Sequence, residues 1–230
     1  VSRLAVIPAR GGSKRIPRKN IKLFNGRPIL SYSIAAALES GLFDEVMVST
    51  DDQEIAEIAR AAGATVPFFR RPETANDHAG ILEVLKEVVE DYRTLRGTEF
   101  EFVCCLLPTA PLLRVEDLKT SHEKLISEGW DSVFPVVRFG YPILRSLTVE
   151  NGRAVMNWPE NYPNRSQDLP PAFHDVGQFY WIRPERCFAL GRIFTENSGV
   201  IELPETRVQD IDTEEDWKIA ELKYRLATDA

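Results

Sequence analysis

The chain has 230 residues, 43% of them hydrophobic, enough for one medium α/β domain with a sizeable core. Its net charge of −7 argues against non-specific nucleic-acid binding, and no apolar run approaches membrane-spanning length or the core of a secretory signal. Three cysteines form no disulfide framework and three scattered histidines add no zinc-ligand spacing, so a cytoplasmic protein with buried thiols at Cys104 and Cys105 is expected.

Residues 4–8 read as a short apolar strand. They run into a loop over 9–20 that holds two glycines, five cations (Arg10, Lys14, Arg15, Arg18, Lys19) and no acid. Glycines let backbone approach a ligand closely, and successive N–H groups in such a loop form an anion-binding concavity. The loop is not a Walker A motif, because Ser13 precedes Lys14 and Arg15 follows it. Nor is it a dinucleotide fingerprint, because Gly11 and Gly12 are adjacent and no third glycine follows. A solvated surface loop is the alternative. The position after a first buried strand, where open α/β sheets bind ligands, favours a polyphosphate cradle.

Further along, 28–40 reads as a helix stopped by Gly41 and 45–49 as a strand. Thr50, Asp51 and Asp52 supply cap chemistry for a helix through Ala62, stopped by Gly63. Residues 65–69 read as a strand, and Asp77 and His78 as a cap for the next helix. That helix, over 80–95, carries Ile81, Leu82, Leu85, Val88 and Val89 on one face. The apolar run 100–107 predicts a strand buried on both faces, followed by a helix over 116–128 and a strand over 132–137. This alternation predicts an α/β fold, a doubly wound, mostly parallel sheet with helices on both sides. Residues 138–177, rich in Pro, Asn and Gly with β-like pieces at 143–149 and 153–158, break the pattern as an insertion. Strands over 178–182 and 199–203 and a helix over 214–227 complete the chain.

Asp210 and Asp212, one residue apart in an extended segment, point to the same side. Such a pair facing a polyphosphate suits Mg²⁺. The competing reading is a helix N-terminus, where acids are also favoured. Arg71 follows a strand, and Arg165 and Gln167 lie in the insertion; each can be a ligand contact or a solvated side chain.

The stretches IPARGGSK over 7–14 and PRKN over 17–20 resemble the signature of the CMP-sialic acid synthetases (acylneuraminate cytidylyltransferases). Those enzymes join a nine-carbon keto-acid sugar to CTP. The resemblance covers nearly the whole chain and implies one cytidylyltransferase domain over 1–230. It implies nucleotide contacts from Pro8, Ala9, Arg10, Gly11, Gly12, Ser13, Lys14, Lys19 and Asn20, with Arg71 near the cytosine. Arg10, Lys19 and Asp212 would be catalytic, and Asp210 and Asp212 would bind Mg²⁺. Arg165 and Gln167 would hold the sugar acid, with Tyr180 as the aromatic over the sugar. The β-rich segment 138–177 would make a homodimer.

One departure concerns the acceptor. The family usually reads QPTSP after the strand over 100–107, and that glutamine touches the sugar. This chain reads LPTAP over 107–111, so Leu107 replaces a polar contact. The stretches RSQDLPP over 165–171 and HDVGQFYW over 174–181 are similar to the pseudaminic acid branch of the family, whose sugar lacks the 9-hydroxyl. N-acetylneuraminic, legionaminic and Kdo acceptors remain open alternatives, as does a nucleotide-binding regulatory module without turnover.

Overall fold

The computed structural model describes residues 2–76 and 78–228; Asp77 of the expected cap lies outside the described residues. The chain opens with β1 (Arg3–Pro8). A hairpin of β2 (Leu23–Phe24) and β3 (Arg27–Pro28) leads into α1 (Leu30–Ser40). Then come β4 (Glu45–Ser49), α2 (Gln53–Ala61), α3 (Ile81–Arg96), β5 (Phe102–Leu106), α4 (Val115–Ser127) and β6 (Ser132–Arg138). The insertion contributes a hairpin of β7 (Leu147–Glu150) and β8 (Arg153–Met156). It is followed by β9 (Phe173–Asp175), β10 (Phe179–Ile182), α5 (Pro184–Leu190), β11 (Ser198–Glu202) and α6 (Glu214–Thr228).

The main sheet runs β11-β6-β10-β5-β1-β4, and β9 pairs with the end of β6. β1 is parallel to both β4 and β5, and β11 is parallel to β6. β10 lies antiparallel between β5 and β6, because the chain returns to it through the insertion. The strand order reverses between β1 and β5, which opens a crevice at their carboxyl ends, the usual ligand position in an open α/β sheet.

Side chains alternate along the strands and build two cores. Ala5, Ile7, Val46, Val48, Phe102 and Cys104 pack with residues of α1, α2 and α4 on one face. Leu4, Val6, Met47, Val103 and Cys105 pack with Leu85, Val88 and Tyr92 of α3 on the other. Cys104 and Cys105 therefore face opposite layers, and both are buried, as is Cys187. Burial pushes the Cys105 thiol up to about 12. No helix among the described residues is long and apolar enough to cross a membrane.

Several elements differ from expectation, among them the β2–β3 hairpin and β9, neither of which was expected, and residues 143–145, a short turn where a β-like piece was expected. Over 65–69 only Thr65 pairs, through a single bridge to Met47. Pro67 has no N–H to donate, so the ladder stops there. The helix expected from residue 28 begins at Leu30, because Pro28 is held opposite Leu23 in the hairpin. Helix α5, with Pro184 in its first turn and Gly191 at φ 66° beyond its last, was not expected at all.

His122 of α4 is buried between Phe102 and Trp181, with no hydrogen-bond partner for Nε2. Burial, followed by the nearby Arg3 charge, lowers its pKa from the ordinary 6.5. The native state thus keeps His122 neutral while the unfolded chain takes up a proton. Its contribution is present above pH 6.5 and is lost as pH falls from there through the lower native value. His122→Leu should flatten that part of the stability–pH curve, whose slope from one such group reaches at most about 1.4 kcal/mol per pH unit. Urea titrations of both proteins across the acid range are the check, and parallel curves would refute the assignment.

Candidate active site

The loop after β1 is held in shape by its neighbours. The Ala9 N–H donates to Ser49 O (2.9 Å), and the Gly11 N–H to Asp51 Oδ1 (2.9 Å). A Cβ at Gly11 would sit 2.8 Å from Asp52 Oδ2, so any larger residue would press on the Asp52 side chain. Gly12, by contrast, faces open space. The buried Asn20 donates from Nδ2 to Arg10 O (2.9 Å) and ties the two ends of the loop together. Arg18, at φ 55°, pairs with Asp52 and Glu54 at the start of α2. Its guanidinium holds the Asp52 carboxyl below the usual carboxylate range, and Asp52 also accepts from the Ile55 N–H as the helix cap. Arg18 thus braces the loop. Pro8, Arg10, Ser13, Lys14, Lys19 and Asn20 instead line a cavity of about 460 Å³, closed by Pro108 and Thr109 beyond β5. Arg15 lies on the same wall.

Asp212, from the far end of the chain, lies beside this cavity, held by two of the cations that line it. Lys19 Nζ donates to Ile211 O (2.6 Å) and lies 3.5 Å from Asp212 Oδ1, while Arg15 pairs with Asp212 at 2.8 Å. Helix α6 is capped elsewhere. Thr213 Oγ1 accepts from the Asp216 N–H (3.2 Å), and Asp216 Oδ2 accepts from the Asp212 and Thr213 N–H groups (3.1 and 2.8 Å). The capping reading of Asp212 therefore fails: Thr213 and Asp216 form the capping box and leave the Asp212 carboxylate to face Lys19 and Arg15. The Asp210 carboxyl is raised above the ordinary carboxylate value, first by burial and then by the charge of Asp212.

This donor set suits a hard divalent cation. Both acids offer carboxylate oxygens to one cavity, and two cationic side chains stand against Asp212 where positive charge is favoured. Among the described residues no group of three or more His, Cys, Asp or Glu side chains is gathered to hold a metal. Two carboxylates completed by substrate phosphates is the arrangement Mg²⁺ ordinarily accepts.

Asp210 and Asp212 also line a second cavity of about 540 Å³, with Arg138, His174, Asp175 and Lys223. Leu107 lies near Asp210: the side chains of both come within 3.6 Å of where a Cβ on Gly177 would be. The other residues expected at the sugar are placed differently. Arg165 is 73% exposed and paired with Asp168 at 2.8 Å. Gln167 lines an adjoining hollow of about 530 Å³ with Phe139, Tyr141 and Leu169. The Tyr180 ring is 6% exposed and packs near Phe134 and Phe194, so it offers no open face. Only its hydroxyl turns toward the cavity, donating to Asp175 Oδ2 (2.6 Å). Within this single chain Arg165 and Gln167 are not among the residues that line the cavity of the acid pair, and Tyr180 meets it only through its hydroxyl bond to Asp175.

Arg71 is likewise turned away, its guanidinium paired with Asp91 of α3. The neighbouring Arg70 takes the inner position at 7% exposure, donating to Ser49 Oγ (3.0 Å) and Ser49 O (2.7 Å) close to Arg10 and Asp51. Reading the doubled arginine missed it. Alternation along an extended segment, which sends only one of two neighbours inward, was the available signal.

Residues 4–149 match the family model described as Cytidylyltransferase. A pseudaminic acid cytidylyltransferase of Campylobacter jejuni subsp. jejuni is 43% identical over 224 residues, spanning 97% of this chain and 96% of that protein. An N-acylneuraminate cytidylyltransferase A of Danio rerio is 35% identical over 94% of this chain and 49% of its own length. Among solved structures, a CMP:2-keto-3-deoxy-manno-octonic acid synthetase complexed with CTP superposes with a TM-score of 0.69 at 21% identity over the whole of both chains. At that identity the likeness speaks for the doubly wound fold alone. The family model spans β1 to β7, the loop after β1 included, and the close relative spans almost everything else, so this protein belongs to the cytidylyltransferase family.

Proposed function

We propose that the chain transfers CMP from CTP to the anomeric hydroxyl of pseudaminic acid, giving the CMP-sugar and pyrophosphate. The observation that carries this reading is the Lys19 bridge, which ties the cationic loop after β1 to the segment that carries the carboxylate pair. The curated relative at 43% identity supports the choice of sugar, and Leu107 near Asp210 suits an acceptor with a methyl-terminated side chain.

Arg10, Ser13, Lys14 and Lys19 would hold the triphosphate in the first cavity, with the acceptor in the second. Asp210 and Asp212 line the second cavity, with Asp212 paired to Lys19 and Arg15 of the first, and would hold Mg²⁺. When bound, that ion supplies charge stabilisation at the phosphates and lowers the pKa of the attacking hydroxyl. The anomeric oxygen attacks the α-phosphorus and the bond to pyrophosphate breaks. Alignment and fixed positive charge account for such a reaction without a covalent intermediate. Buried thiols agree with a reducing cytoplasm.

Residues 138–177 serve as the dimer contact in this reading. Tyr141, Leu147, Val149, Val155 and Tyr162 are exposed there, with Leu147 and Val149 on one face of the β7–β8 hairpin and Val155 on the other, and exposed apolar surface of this kind supports an interface. A single-chain mass at micromolar concentration with full activity would refute the dimer.

Pyrophosphate release with CTP, measured across pseudaminic, N-acetylneuraminic, legionaminic and Kdo acids, tests the function. Pseudaminic acid should be preferred by about 10–200-fold, the discrimination an apolar pocket ordinarily supplies. Equal use of N-acetylneuraminic acid would leave only the general cytidylyltransferase reading. No turnover with any acceptor would reject catalysis.

A further inference from the structure

The segment that carries the acids belongs to neither strand nor helix: a short turn ends at Arg207 and α6 begins at Glu214. Side chains from elsewhere hold its carbonyls instead. Arg207 O accepts from Gln178 Nε2 (2.8 Å), Val208 O from Lys223 Nζ (2.7 Å) and Ile211 O from Lys19 Nζ (2.6 Å). The Arg207 guanidinium is itself fixed on Asp117 of α4. Residue 207 is thus pinned at both its carbonyl and its side chain, three residues before Asp210.

Gln178 occupies a particular position among these contacts. It is 2% exposed, just ahead of β10, and its own carbonyl accepts from the Leu107 N–H (2.8 Å). Its neighbour Gly177, at φ 60°, lies against both Asp210 and Leu107. Gln178 Oε1 is buried without a hydrogen-bond partner among the described residues. A buried amide left half satisfied costs stability, and an apolar residue of the same shape would avoid that cost. The bond to Arg207 O is what the amide supplies.

We propose that Gln178 is a positioning residue for the carboxylate pair: through Arg207 O it fixes where the Asp210–Asp212 segment lies relative to Leu107 and the phosphate loop. The proposal rests on the reading of Asp210 and Asp212 as metal-binding acids. Partners that orient metal ligands typically change affinity or rate by 10–100-fold when removed.

Mn²⁺ titrated into protein and CTP without acceptor, followed by electron paramagnetic resonance, gives a readout that does not depend on turnover. Gln178→Met keeps the shape and removes the donor. It should weaken Mn²⁺ binding about tenfold or more, and lower kcat with little change in the CTP KM and in the melting temperature. Gln178→Asn is polar but one methylene too short to reach Arg207 O. It should show the same loss and keeps the test open if the methionine variant does not fold. Asp210→Asn and Asp212→Asn are the controls. If they abolish Mn²⁺ binding while the Gln178 variants leave it at the wild-type value, the positioning role is overturned and the metal reading stands. If the aspartate variants bind Mn²⁺ like wild type, the metal reading fails and this proposal with it.

Discussion

Asp212→Asn should lose activity on the order of a hundredfold or more while melting close to the parent protein. The two halves of that expectation have separate grounds. The cap of α6 is built from Thr213 and Asp216, so an amide at 212 disturbs no capping bond. The pairs of Asp212 with Arg15 and Lys19 are partly solvent-exposed, and exposed ion pairs contribute little to stability. What disappears is a carboxylate facing the phosphate loop, and raised Mg²⁺ should restore little of the rate. Steady-state kinetics over a magnesium series, beside a melting curve, decides it. An active variant with ordinary magnesium dependence would remove Asp212 from the metal site.

Lys19→Ala should do comparable damage for a different reason. Lys19 is 20% exposed, lines the cavity of the loop after β1 and holds the acid segment through Ile211 O, where Arg15 reaches only the Asp212 carboxylate. Its removal takes a cation from the cradle and a charged hydrogen bond from the fold. Rate should fall on the order of a hundredfold, and stability by about 1.5–3 kcal/mol, the range for a hydrogen bond to a charged group. Lys19→Arg should recover little, because a planar fork cannot reproduce a compact ammonium placed between a carbonyl and a carboxylate. A near-normal rate at saturating CTP would exclude Lys19 from the mechanism.

The cationic loop after β1 and its place on a cavity were legible in the sequence because the signal is local: glycines, cations and a strand before them are all read within twenty residues. The acid pair was half legible. Spacing puts Asp210 and Asp212 on one side, but whether Asp212 caps the helix depends on Thr213 and Asp216, a Thr-x-x-Asp pattern that competes for the same helix end. The strand expected over 65–69 failed on Pro67, whose missing N–H outweighs the apolar character around it. Helix α5 spans seven residues, too few for a 3.6-residue periodicity to declare itself. The sugar side was least legible. Arg165, Gln167 and Tyr180 were assigned by resemblance, and whether a side chain faces a cavity, the core or solvent depends on packing between distant segments. The same applies to Arg70 and Arg71, whose partners on β4 and α3 no local pattern names.

The adjacent thiols of Cys104 and Cys105 give the molecule an internal clock. They sit on one central strand, one beneath each helical layer, with pKa values raised by burial. A thiol reagent can reach Cys105 only when the α3 layer lifts from the sheet, and Cys104 only when the layer of α1, α2 and α4 does. Equal labelling rates for the two would mean that the sandwich opens as a whole. Unequal rates would identify which layer detaches first, with no probe added to the protein.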